Sequence, residues 1–599
     1  MNNNIGSARD SFNSEAEAVK NIIYEMINTE NYEAAQQILE QYILINSSDP
    51  EIDEIRKILA PTSDKHEKVG TIADDHSILR GIKTVFVLNR LIFGRVGTCD
   101  SVFRKVKLME DVWSYTPSIL TCYHNIEENK IKLWLQTADD GGVTISANTE
   151  IINVYDHFQK AYAKGLDNKA VYEKLDKHMR YVEVEDNVYD VYDGDTLIKQ
   201  EHFTGYLGSL RMVCNYSAGK KATELIYDDM GYLNCVREFN DNKNSSYKIS
   251  YYKTDGLLWM ESFYSREETD IEEPEKMIIY DEKGCIVKEF YDRSELAVMC
   301  LEQIMPKEKL CMIVIENGLL SKIATSISAD VTNFAFCEVV HSVFQRDPYN
   351  PKSKSQSFYR HLCENYPAFD GVVMLTDDAK KDFINQYGDN QNVFVIPHFY
   401  PYDIDKVDFN SRDRKKAVII ARLDPLKQID HAINIFSLVV KKVPDANLEI
   451  YGRGDEEEAL RSYIHELGVE NNVFLMGFTD DPISILKTAS LFIMTSLAEG
   501  YGMTLAESIC NGCPAFSYDL KYGPSEIIND GKTGFLFDRF DRDGFASKIV
   551  EYFNDSELQR VMSENCYADA VKFSSSEFLT GWYDMTTAIY DRRCRVFLP

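Results

Sequence analysis

Glu499-Gly-Tyr-Gly-Met-Thr-Leu-Ala-Glu507 follows directly on the apolar run 491–495 and opens a helical pattern over 503–511. The spacing predicts a buried strand, a glycine turn and a helix in succession. Open α/β sheets bind ligands where a strand ends and the next helix begins. Glycines in the turn let a ligand approach the backbone closely, and the N–H groups of Gly502, Met503 and Thr504 point out of the new helix. Glu499 and Glu507, eight residues apart across the turn, can grip different hydroxyls of one ligand. The plainer reading is a carboxylate beside a helix start, favoured there by the helix dipole.

A second element lies upstream. Ala421-Arg422-Leu-Asp-Pro-Leu-Lys427 follows the apolar run 417–421 and sets two cations at the end of another strand. An Arg fork and a Lys point charge suit a diphosphate; the alternative is an ion pair with Asp424 or Asp430. Further strands are expected over 447–451, 473–476 and 514–517, with helices over 430–442 and 456–467 between them. An earlier set of buried runs covers 84–88, 311–315, 334–340, 371–375 and 393–396, and a polar bridge, 402–416, joins the two. The first run of that set, 84–88, leads into a glycine-bearing loop containing Gly97 and Thr98, before a helix over 102–113. Such a loop suits an anionic ligand or is simply a tight turn. Val339-Val340-His341-Ser342 puts His341 at a strand end facing the expected cleft, where a structural role is the alternative to a functional one. The alternation predicts two doubly wound α/β domains with a cleft between them, and a closing helix over 578–590.

Between the two halves of the first domain lies a different module. Alternating aromatic segments (NVYDVY, EHFTGYL, ATELIY, YKISYY, WMESFY, MIIYDE, CIVKEFY) are divided by turns such as Asp193-Gly194 and Asp255-Gly256, which predicts an inserted antiparallel meander. Its aromatic faces either bind a polymer or another subunit, or pack within the sheet. Residues 14–60 show two helical stretches that form a hairpin resembling one tetratricopeptide-type unit, read as a cap or a partner adaptor. The expected organisation is therefore 1–70 helical extension and linker, 71–185 with 293–401 the first domain, 186–292 the insert, 402–580 the second domain, and 581–599 a closing helix and tail.

Composition bounds the function. Sixty-five Lys and Arg against 96 Asp and Glu give a formal charge of −31 over 599 residues, which argues against nucleic-acid binding. There is no apolar run of bilayer length and no secretory leader at the start, and 13 scattered cysteines suit reduced thiols. A cytoplasmic location with at most peripheral membrane association follows. The lone Cys510/Cys513 pair has no second pair to make a zinc site, and Asp193/Asp195 and Asp403/Asp405 read as solvated turns, so no metal is expected. Lys160, Lys164, Lys169, Lys174 and Lys177 form a basic strip or a solvated helix face.

The ordered elements Arg422 with Lys427, Tyr451-Gly-Arg-Gly454, Met476-Gly-Phe478, Glu499 with Glu507, and Gly531-Lys-Thr-Gly534 resemble the retaining GT-B glycosyltransferases of the glycogen-synthase-like family. The insert and the stretches LCMIVIENG, VVHSVFQ and YPAFDGVVMLTDDAKKDF narrow the likeness to a bacterial subgroup. That subgroup holds teichoic-acid polyol-phosphate α-glycosyltransferases and N-acetylglucosaminyltransferases of serine-rich adhesins. The chain departs from it in the N-terminal extension and in the loop GRVGTCDS, which lacks paired glycines.

The resemblance implies a UDP-sugar donor carrying Glc or GlcNAc, no further cofactor, and a hydroxyl acceptor on a surface protein or a teichoic-acid polymer, with a slight preference for protein. It implies Arg422 and Lys427 on the diphosphate, Glu499 and the backbone of Gly500, Tyr501, Gly502, Met503 and Thr504 on the donor sugar, and Glu507 on the ribose. Phe478 would lie near the base, Gly97 and Thr98 by the phosphates, and His341 by the donor sugar. The insert would make a homo-oligomer or heteromer. The rival readings are a non-catalytic partner of an active transferase, and a phosphorylase or epimerase of similar fold.

Overall fold

A computed structural model describes residues 77–91, 97–124, 135, 145–146, 148–160, 179–203, 210–228, 232–239, 246–264, 274–327 and 332–597. The helical hairpin expected over 14–60 and the lysines from 164 to 177 lie outside these residues, as does the Lys160 side chain.

The first α/β sheet has seven parallel strands. In spatial order they are Val393–Val395, Gly371–Met374, Phe334–Val339, Leu310–Ile315, Ile82–Leu88, Ser118–Thr121 and Ile151–Asn153. The second has six: Val473–Gly477, Asn447–Tyr451, Asp413–Ile420, Ala489–Met494, Ala515–Tyr518 and Gly534–Phe537. Counted along the chain, the first runs 3-2-1-4-5-6-7 and the second 3-2-1-4-5-6 across the sheet, the doubly wound order whose ligand crevice opens between the first and fourth strands. Leu310–Ile315 and Ala489–Met494 are buried at all six positions, because helices cover both faces. Unbroken apolar runs are what such strands require.

The insert is a ten-stranded antiparallel meander from Arg180–Glu185 to Ile286–Phe290, with neighbours in chain order. Its aromatics neither face solvent as a group nor pack only within the sheet. Tyr251 and Trp259 are buried against the helix Val154–Lys160, at 5.1 Å from the Tyr155 ring and 5.7 Å from Phe158. Burial of that much aromatic surface fixes the meander to the first sheet's flank.

The chain passes between the two α/β sheets twice. It leaves the first along 396–402 and returns after Ala570–Phe573 into the long helix Ser575–Phe597. The two crossings touch: Tyr400 N–H donates to the Phe573 carbonyl (2.8 Å), and the Phe399 and Phe578 rings lie 4.7 Å apart. The returning helix docks on the first sheet, with Trp582 edge-on to Phe86 at 5.8 Å and Arg593 gripping both Asp370 oxygens at 2.6 Å.

Candidate active site

The carboxyl ends of the two parallel sheets face one another, and between them lies a cavity of about 430 Å³. On the second sheet its wall begins where Asp413–Ile420 ends. The Asp424 carboxylate accepts from Leu426 N–H (3.0 Å) and caps the short turn Pro425–Lys427. This turn aims Lys427 across the crevice, where its ammonium donates to Glu499 Oε1 at 2.7 Å. Ser496 Oγ donates to the same oxygen, also at 2.7 Å. The two motifs read separately in the sequence are thus joined by one half-buried ion pair, with side chains 20% and 12% exposed. Arg422 also lines the cavity but is 76% exposed, and its guanidinium sits 2.9 Å from Asp424. The ion pair weighed for Arg422 is therefore formed, while the one weighed for Lys427 is replaced by Glu499.

The turn after Glu499 is shaped by close approach. A Cβ on Gly500 would stand 2.0 Å from the His341 carbonyl oxygen, so the two α/β halves meet backbone to backbone here. Gly502 has φ of +98° and starts the helix Met503–Cys510, with its first N–H groups at the cavity wall. Met503 and Thr504 complete this side, and Tyr501 lies beneath it, largely buried.

The first sheet contributes a buried charge network. His341 follows Phe334–Val339, and its Nε2 lies 2.6 Å from Glu316 Oε2. Glu316 follows Leu310–Ile315, and its two oxygens accept from Lys105 Nζ at 2.8 and 3.0 Å. Lys105 comes from the helix Gly97–Trp113; its side chain is 2% exposed and that of Glu316 is 0%. Burial pushes the Glu316 carboxyl up, but Lys105 and His341 outweigh it and hold the group down at about 2. The His341 ring stacks on His398 with centroids 5.5 Å apart and planes 12° from parallel. Burial first, then the His341 and Lys105 charges, hold His398 well below its ordinary value. Tyr359 fixes the backbone by accepting from His341 N–H at 2.9 Å.

His341, Arg422, Lys427, Glu499 and the 500–504 backbone thus come together around one cavity. Glu507 and Phe478 are not part of its wall. Glu507 sits on the inner side of its helix, opposite the Gly97–Trp113 helix. Burial pushes its carboxyl up to about 7, Arg104 lowers it and Asp100 raises it. Phe478 follows Val473–Gly477, is 62% exposed and carries the Arg453 guanidinium 5.3 Å over its ring. Gly97 and Thr98 form the first turn of their helix. Lys105 and Glu316 escaped the sequence reading. The available signal was a Glu placed directly after a fully apolar run, in Leu310–Ile315 followed by Glu316.

Among the described residues, no group of three or more His, Cys, Asp or Glu side chains could hold a metal ion, and no helix is long and apolar enough to cross a membrane.

Residues 402–569 match the family described as glycosyl transferases group 1. The chain is 28% identical over 360 residues to a poly(glycerol-phosphate) alpha-glucosyltransferase of Bacillus subtilis strain 168, covering 59% of this chain and 52% of that protein. It is 28% identical over 248 residues to the GtfA subunit of a UDP-N-acetylglucosamine–peptide N-acetylglucosaminyltransferase of Streptococcus gordonii, 39% of this chain and 48% of that one. The chain thus spans about half the length of these curated relatives. A crystal structure of a point mutant of S. aureus TarM with Fondaparinux, alpha-GlcNAc-glycerol and UDP superposes with a TM-score of 0.71 at 23% identity, over 84% of this chain and 99% of that one. This likeness establishes the fold, two Rossmann-like halves about a cleft with an inserted β-meander. Residues 402–569 are thus similar to the group 1 glycosyl transferases, and the chain is set in a GT-B fold.

Proposed function

We propose that the protein moves glucose or N-acetylglucosamine from a UDP-sugar to a hydroxyl acceptor, with retention of anomeric configuration. The observation that carries this reading is the Lys427–Glu499 pair at the switch point of the second sheet, across the cavity from His341. Lys427 and Arg422 would take the diphosphate and stabilise the charge that develops as it leaves. Glu499, released from Lys427 by that exchange, would turn to the sugar hydroxyls together with the backbone N–H groups of 500–504, and Glu507 would take the ribose. The bond from the anomeric carbon to the diphosphate oxygen breaks while the acceptor oxygen bonds to that carbon on the same face. The acceptor proton passes to the departing phosphate. His341, oriented by Glu316, stands beside the sugar and shapes its pocket. Closure of the two halves would exclude water and limit donor hydrolysis.

The relatives, one acting on poly(glycerol phosphate) and one on a peptide, support two acceptors, a polyol phosphate and a peptide hydroxyl. A bacterial cytoplasmic location, at the inner face of the membrane where such acceptors are built, fits either. Homo- or hetero-oligomers would form through the meander, whose terminal strands Arg180–Glu185 and Ile286–Phe290 are sheet edges with Ile286 and Val287 exposed. A non-catalytic partner would have no need of the paired Lys427 and Glu499.

The test is UDP release by wild type and Glu499→Ala from a panel of UDP-sugars, with glycerol-phosphate polymer, Ser-rich peptide or no acceptor. Acceptor-stimulated release from one donor, reduced at least about a hundredfold in the variant, supports the transferase. Folded wild type that releases UDP from no donor overturns it.

A further inference from the structure

After His341 the chain leaves the cleft and doubles back on itself. Gln345 and Ser355 form an antiparallel bridge, and Arg346 N–H donates to the Lys354 carbonyl at 2.9 Å. Arg346 and Lys354 therefore stand opposite each other on paired segments. Arg360, at the start of the next helix, closes the third side. With Ser355, Cys363, Glu364 and Tyr387 these residues wall a cavity of about 520 Å³ that shares no lining residue with the cleft.

Its charge is unusual for this chain. Arg346, Lys354 and Arg360 are exposed, and none forms an ion pair among the described residues. Glu364 is the single acidic group in the wall, so three cations meet one anion on a protein whose net charge is −31. Like charges set opposite each other on paired strands repel. The arrangement becomes favourable when an anion enters between them. Two Arg forks, a Lys and two hydroxyls match a tetrahedral oxyanion with several acceptor oxygens. Arg346 is five positions after His341, so their Cα atoms lie within about 17 Å of each other. The loop is also tied down: Gln345 donates to Gln386 at 2.7 Å, and its Oε1 accepts from the Tyr522 hydroxyl of the second half at 3.2 Å.

We propose that this cavity is an anion subsite that holds a phosphodiester of the acceptor, so that a neighbouring hydroxyl is presented to the cleft. The proposal rests on the transferase reading for the word acceptor, and it favours a polyol-phosphate chain over a peptide. The chain's overall acidity repels a polyanion at long range, and the subsite supplies the local attraction that makes its capture specific.

The experiment uses the full chain with the donor site saturated by UDP, and titrates a short glycerol-phosphate oligomer or inorganic phosphate by calorimetry. The variant is the triple Arg346→Gln, Lys354→Gln, Arg360→Gln, whose exposed side chains carry no packing. The expected result is oligomer binding by wild type, weakened about tenfold or more in the variant. The slope of log affinity against log salt should also fall by about 2, since each of three phosphate contacts contributes about 0.7. Unchanged affinity in the variant, or no oligomer binding by wild type, overturns the subsite. Inorganic phosphate that binds the cavity as tightly as the oligomer overturns the acceptor assignment in favour of a free-ion site. UDP release from the panel of UDP-sugars with the oligomer and with a neutral Ser peptide is measured in parallel. If wild type releases UDP with neither acceptor while oligomer binding still depends on the three cations, the transferase reading fails and the cavity stands.

Discussion

Gly500→Ala tests whether the backbone contact between the two halves sets the geometry of the cleft. The added Cβ would lie 2.0 Å from the His341 oxygen, 2.7 Å from its carbonyl carbon and 2.7 Å from Ser342 Cα. Ordinary contact begins at 3.4 Å, so the His341 carbonyl must retreat by about 1.4 Å, and all the atoms in the way are main chain. A side chain could rotate aside, but this backbone is held by Tyr359 and by the strand before it. The halves must therefore part locally, carrying the His341 ring away from Glu499. A displacement of about 1 Å costs on the order of a hundredfold in rate when reacting groups must be aligned. Lys427, Glu499 and Arg422 all belong to one half and keep their relation. The expected outcome is a fall in kcat/KM for sugar transfer of about a hundredfold, with UDP affinity measured by calorimetry changed less than about threefold. A variant within about threefold of wild type in kcat/KM would refute the reasoning, because the 2.0 Å approach would then carry no constraint on the chemistry.

Lys427→Met should weaken UDP binding by about 10- to 100-fold by removing a charge-assisted contact, read by calorimetry. Glu316→Gln leaves Lys105 buried without its counter-charge, which should cost about 3–5 kcal/mol and slow transfer as His341 loses its orienting partner. Adding Lys105→Met should restore stability but not rate, which separates positioning from packing. Because Glu316 is held at about 2 rather than its ordinary 4.5, its stabilisation is complete above pH 4.5 and lost as pH falls toward 2. The stability gap between wild type and Glu316→Gln should therefore close on acidification, as followed by chemical denaturation. Glu507 has the opposite sign. With its carboxyl raised to about 7, the stability it contributes is present below pH 4.5 and lost as pH rises through 7. Glu507→Gln should accordingly melt higher than wild type at pH 8 and alike at pH 4, by scanning calorimetry.

The central strands were legible because burial on both faces writes them as unbroken apolar runs, as in Leu310–Ile315 and Ala489–Met494. The short outer strands Ser118–Thr121 and Ile151–Asn153 were not, since three or four residues carry no period that can be told from a loop. Gly534–Phe537 begins on the last glycine of Gly531-Lys-Thr-Gly534, which in sequence is only an element of the family likeness. In the meander, Arg180–Glu185, Leu210–Ser217 and Leu233–Phe239 escaped notice because they have fewer aromatics than their neighbours. At the site, chain position located Lys427, Glu499 and His341, because topology gathers the carboxyl ends of parallel strands on one side of each sheet. The direction of a side chain is a different matter. Lys105 lies on a helix whose other buried positions are Cys99, Val102, Phe103, Val106 and Met109. In sequence a lysine there is indistinguishable from one reaching solvent. Phe478 keeps its place in the motif order yet stands outside the cavity wall, exposed beneath Arg453.

The paired crossings have a mechanical consequence. Two segments joined side by side, through Tyr400 and Phe573 and through Phe399 and Phe578, behave as a door hung on two adjacent pins. A single tether would let one half swivel in any direction; two in register leave one easy axis of rotation and resist twist. Opening to admit a donor and closing to expel water then follow the same path in reverse. Gly500 and His341 would meet again in the same register at every turnover, with no search over orientations.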